Sequence, residues 1–104
     1  MYGLHGKMRA VPGKRDELIA HLLDAAKLMP EVEGCYLYVI SSAPDDPDGL
    51  WVTEVWRSPA DHQASLALPV VQSLITSARP LIAGFSDRSE FTPLGGKGLP
   101  AASA

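Results

Sequence analysis

A chain of 104 residues, 46% hydrophobic and 20% charged, has the length and composition of one soluble-type globular domain with a single core. A formal net charge of −3 with no basic block argues against nucleic acid, and no apolar run approaches the roughly 20 residues needed to cross a bilayer. One cysteine, Cys35, excludes an internal disulfide and a thiolate zinc site. Lys7, Arg9, Lys14 and Arg15 interrupt the N-terminal segment, so no secretory leader is expected and the cytoplasm is the expected compartment.

Residues 2–10 alternate as a strand does. Tyr2, Leu4, Met8 and Ala10 take one face, and His5, Lys7 and Arg9 take the other. Pro12-Gly13 turns the chain into a helix predicted over 14–29, where Leu18, Ile19, Leu22, Leu23, Ala26 and Met29 form the apolar stripe. Arg15, Asp16, Glu17, His21, Asp24 and Lys27 are expected mainly toward solvent, and Pro30 and Gly34 end the helix.

A second strand is predicted over 35–41, with Cys35, Leu37 and Val39 separated by parity from Tyr36, Tyr38 and Ile40. The turn-rich loop 43–49 leads antiparallel into a third strand over 50–57. Ser58 is the expected N-cap of the next helix, with Pro59 in its first position and Asp61 near the reciprocal capping position. Pro69 starts a further helix with Val71, Leu74, Ile75, Ala78 and Leu81 on one side. Gly84 is read as its break, and a last strand is predicted over 85–94. Residues 1–94 form the domain, and 95–104 read as a flexible tail.

The order β-α-β-β-α-β defines an α+β, ferredoxin-like fold: a four-stranded antiparallel sheet with its helices on one face. On this register His5, Lys7, Arg9, Tyr36, Tyr38, Glu54 and Trp56 lie together on the other, mixed face. Leaving Tyr36, Tyr38, Ile40, Val52 and Trp56 open to water is unfavourable, so a homodimer enclosing a small-molecule cavity is expected.

Glu54 and Trp56 are the leading candidate residues. The indole offers a flat aromatic substrate a stacking surface, or serves simply as core. Glu54 is a base toward a phenolic proton if burial raises its pKa, or the partner of Lys7 or Arg9 in an ion pair. His5 and His62 are candidate proton carriers, against packing for the first and a solvated helix start for the second. Tyr36, Tyr38, Lys7 and Arg9 are candidate substrate-binding groups. Trp51, of opposite parity to Trp56, is read as a packing residue, and Cys35 as a small buried thiol. No His/Cys/Asp/Glu spacing signals a metal, and no glycine-rich phosphate loop signals a nucleotide or flavin.

The segments Val11-Pro12-Gly13-Lys14-Arg15-Asp16-Glu17-Leu18, Gly34-Cys35 with Tyr38, Asp45-Asp46-Pro47-Asp48, and Glu54-Val55-Trp56-Arg57-Ser58-Pro59 resemble the antibiotic biosynthesis monooxygenase (ABM) domain family, which includes quinol monooxygenases. Leu66, Pro69, Val71 and Gln72 extend the likeness, which spans about residues 2–94. The resemblance implies a dimeric α/β barrel and, in some members, oxygenation of polycyclic phenols and quinols without a cofactor. Related members degrade haem. Family histidines often stand at the positions held here by Ser65 and Val70, whereas this chain carries its imidazole at His62. The implied activity is a cofactor-independent monooxygenase of a small aromatic phenol or quinol. A non-catalytic, ligand-binding or stress-related dimer is the alternative.

Overall fold

The computed structural model describes residues 1–101. Four strands, β1 (Tyr2–Ala10), β2 (Cys35–Ser42), β3 (Gly49–Trp56) and β4 (Ile82–Phe91), form one antiparallel sheet in the order β2-β3-β1-β4. Three α-helices, α1 (Arg15–Leu28), α2 (Pro59–Ser65) and α3 (Pro69–Ala78), complete the ferredoxin-like arrangement. Single 3-10 turns at Met29–Glu31 and Arg79–Leu81 carry the chain from α1 and α3 back to the sheet.

Capping follows sequence chemistry. Ser58 stands before α2 in extended conformation, its hydroxyl accepts from the Asp61 N–H at 3.2 Å, and Pro59 fills the first turn. Gly34, at φ +83°, reverses the chain into β2 where an L side chain would be strained. β4 begins three residues earlier than expected. Gly84 lies inside it instead of breaking the preceding helix, because Ala10 and Arg9 on β1 pair with Ile82 and Gly84. The strand expected to reach 94 ends at Phe91; the predicted tail forms no regular element over 95–101, and its residues 102–104 lie outside the described residues.

The core lies between the sheet and the helices. Leu18 and Leu22 of α1 pack with Ala10, Leu50 and Ala78, while Ala25 and Met29 pack around Trp56. Leu18 and Leu50 are fully enclosed. Leu23, expected in the apolar stripe, is 45% exposed, and Ala25 takes the buried position instead.

Strand parity therefore differs from expectation. The even-numbered face of β1 and β3 meets the helices, and pairing Tyr2 with Trp56, Leu4 with Glu54 and Tyr38 with Glu54 puts these side chains together there. An extra residue in β2 between Cys35 and Leu37 shifts its register. Cys35 and Tyr38 consequently share the helix-facing side, whereas Leu37 and Val39 do not. Tyr38, Glu54 and Trp56 are thus separated by the sheet from His5, Lys7 and Arg9.

Candidate active site

Two cavities open on the helix-facing side and share Met8, Tyr38 and Phe85 at their boundary. The larger, of about 720 Å³, lies between α1, α3 and the start of β4, with Leu22, Val71, Leu74, Ile75 and Ile82 among its walls. The smaller, of about 480 Å³, has Glu54 and Arg88 among its lining residues. Both sizes suit small-molecule sites.

Glu54 is the central group. Its Oε1 accepts from Trp56 Nε1 at 3.0 Å and stands 3.9 Å from His62 Nε2. Burial pushes its carboxyl above the ordinary value, while the Trp56 N–H, the His62 imidazole and Arg88 pull in the opposite direction. Burial prevails, so this carboxyl holds a proton more readily than an exposed one. The expected ion pair of Glu54 with Lys7 or Arg9 does not form: Asp46 on the β2–β3 loop takes both cations, at 3.0 and 2.6 Å.

Trp56 is 1% exposed, which makes it a wall that positions Glu54 and not an open stacking platform. Its ring meets His62 edge-on at 5.4 Å, and the Tyr2 ring lies tilted 5.9 Å from the imidazole. His62 is therefore part of the Glu54 cluster, brought there because the Ser58 cap starts α2 directly after β3. Ser65, where the resemblance leads one to expect a histidine, is buried and donates to the His62 carbonyl at 2.6 Å. Val70 is 46% exposed. Tyr38 lines both cavities; its phenol is held protonated by burial and by the nearby Glu54 charge. The same two causes, burial first, push the Cys35 thiol up to about 11.

Other sequence candidates lie elsewhere. His5 is on the opposite sheet face, stacked on Trp51 at 4.7 Å with its Nδ1 2.8 Å from Thr53 Oγ1. Lys7 borders the smaller cavity, but its ammonium and the Arg9 guanidinium reach Asp46 on that opposite face, the ammonium also lying 5.9 Å from the Trp51 ring centre. Tyr36, at the extra residue of β2, borders surface depressions away from Glu54. His21, expected in solvent, lines the larger cavity. Sequence reading did not single out Arg88 or Phe85, which β4 contributes to the site. Among the described residues, no three His, Cys, Asp or Glu side chains gather to hold a metal ion, and no helix is long and apolar enough to cross a membrane.

The antibiotic biosynthesis monooxygenase family profile matches residues 1–76, which shows that the chain belongs to that family. It is similar to a crystal structure described as a putative antibiotic biosynthesis monooxygenase from Chloroflexus aurantiacus J-10-fl: 54% identity, 95% of this chain and 98% of the other covered, TM-score 0.86. Structures under the same description from Deinococcus radiodurans (23% identity, 99% and 100% covered, TM-score 0.76) and Nitrosomonas europaea (14%, 91% and 100%, TM-score 0.80) share the fold. No curated protein matches the chain.

Proposed function

We propose that this protein is a monooxygenase of a phenol or quinol, using dioxygen without a bound cofactor, and that the substrate's hydroxylated ring occupies the smaller cavity. The observation that carries this reading is a largely buried carboxylate, Glu54, oriented by an indole N–H and backed by an imidazole, in the lining of a cavity of ligand size. Glu54 accepts the phenolic proton, and the His62 imidazole, 3.9 Å away, passes it on. The phenolate is electron-rich enough to reduce dioxygen. One oxygen atom bonds to the ring and the other leaves as water with the two hydrogens the substrate gives up. A phenol thus yields a quinone, and a quinol a hydroxylated quinone, with no external reductant in the balance.

A second copy of this chain is proposed to cover the opposite sheet face. There Val39 is 43% exposed, and Trp51, His5 and Leu37 are half-buried. The aromatic and aliphatic character of this face supports a homodimer more than a ligand site.

Oxygen uptake over a panel of phenols and hydroquinones tests the activity. Uptake matched by quinone formation, and lost in Glu54→Gln, is the expected result. Ligand-induced thermal stabilisation with no uptake across the panel would instead favour a non-catalytic binding protein.

A further inference from the structure

The smaller cavity contains one cation that the sequence gives little reason to notice. β4 carries one more residue than β1 between the pairs His5–Ser89 and Lys7–Ser86. The bulge centres on Asp87, the one non-glycine residue among those described with positive φ, at 51°. A bulge of this kind re-aims the neighbouring side chain. Here it lays Arg88 across Gly6, whose missing side chain would meet the Arg88 Cα, Cβ and Cγ at 3.7, 3.9 and 3.9 Å. Gly6 lies on the even-numbered, helix-facing side of β1, so the guanidinium stem runs along the cavity that Glu54 also lines.

The other cationic residue bordering this cavity, Lys7, has its ammonium tied to Asp46 at 3.0 Å. Arg88 pairs with Glu90 at 3.2 Å, both side chains more than half exposed, and the Tyr2 hydroxyl lies within reach of both. Such a contact is weak and readily exchanged for a ligand oxygen. Besides Lys7, the charged and titratable groups lining the cavity are Glu54 from β3, Tyr38 from β2 and Arg88 from β4; His62 from α2 stands behind Glu54, and Tyr2 and Glu90 stand beside Arg88. Arg88 is the permanent positive charge among them.

We propose that Arg88 binds the oxyanion of the substrate. This rests on the phenol-binding reading above. The phenol O–H bond breaks, its proton goes to the Glu54 carboxylate, and the negative charge left on the phenol oxygen is held by the Arg88 guanidinium. The pair divides the work: an acceptor for the proton and a fixed donor for the anion. The site therefore selects acidic hydroxyarenes over neutral aromatic rings of the same size.

Para-nitrophenol tests this without any turnover, because its ionised form absorbs in the visible and its neutral form does not. Bound anaerobically to the wild-type protein, it is expected to ionise about one pH unit lower than when bound to Arg88→Met, a shift of the size one adjacent charge produces. Arg88→Lys is expected to recover part of that shift. Thermal melting of each variant, compared with wild type, confirms the fold. Equal ionisation of the probe in folded wild type and Arg88→Met overturns the proposal, as does a full shift in a Glu90→Gln variant with Arg88→Met. Ionisation that depends on Arg88 in a protein that consumes no oxygen supports the anion site and discards the monooxygenase reading alone.

Discussion

Glu54 and Trp56, two residues apart on β3, bond to each other through their side chains: the indole Nε1–H donates to the carboxylate Oε1 at 3.0 Å. Same-face neighbours along a strand normally look across to the adjoining strands for partners. This pair is self-contained, so the strand alone fixes the orientation of the carboxylate.

Removing the donor exposes what it contributes. Trp56→Phe keeps an aromatic ring against His62 but leaves the buried Glu54 oxygen without its partner. Loss of a charge-assisted bond of this type costs about 1–3 kcal/mol. Urea denaturation at neutral pH is expected to show a loss in that range, with the Glu54 carboxyl rising further.

Glu54→Gln separates chemistry from stability. Loss of the base is expected to lower the oxygenation rate roughly a hundred- to ten-thousandfold. Because burial raises the Glu54 pKa on folding, its ionisation opposes the folded state. The stability linked to its protonated form is fully present below the ordinary value of 4.5 and is lost as pH rises through the higher folded pKa. The difference in unfolding midpoint between Glu54→Gln and wild type should therefore grow in favour of the variant across that window and then level off. A difference independent of pH would refute the raised pKa.

His62→Gln removes a positive influence on Glu54. The carboxyl then ionises at higher pH, and the ascending limb of the rate-against-pH profile is expected to move up with it. An unmoved limb would show that the imidazole does not act through Glu54.

Asp46 has the opposite sign. Hydrogen bonds from Lys7, from the Asp48 backbone and from Arg9 hold its carboxyl down to about 2. The stability this linkage provides is present above the ordinary value of 3.8 and is lost as pH falls through about 2. Asp46→Asn should unfold more easily than wild type at neutral pH, with the gap narrowing below pH 3.8.

The assembly is tested by mass. Sedimentation velocity is expected to give twice the 11.1 kDa of one chain, and Val39→Asp, which puts a charge on the half-open sheet face, to give one. A wild-type monomer at micromolar concentration would exclude the covering copy.

The strand and helix pattern was legible because its determinants are local: alternation in β1, the Ser58-Pro59 start of α2 and the prolines bounding the helices. The faces were less legible. Leu50 and Val52 place the even-numbered residues of β3 against the helices, and Glu54 and Trp56 follow from them by parity. Assigning the even-numbered residues of β3 to the face away from the helices put both on the wrong side. The side accommodates Glu54 because the indole satisfies it and the sheet there borders a cavity, neither of which is visible in a single residue. The extra residue in β2 carried Cys35 out of step with Leu37, and the bulge at Asp87 hid Arg88 altogether. The solvated alternative for His62 fails because the packing of α2 on β3 brings its ring to Glu54, which the sequence alone does not show.

A cluster of polar contacts anchors the start of α2. Arg57 bonds Asp61 through two nitrogens, at 2.7 and 2.9 Å, reaches Glu33 at 3.2 Å, and its N–H meets the Gly34 carbonyl at 2.8 Å. A side chain at Gly34 would strike Asp61 at 2.6 Å. Asp61 directly precedes His62, so the contacts that hold Asp61 also fix where the imidazole stands beside Glu54. The placement of the interior imidazole thus depends on residues that border neither cavity.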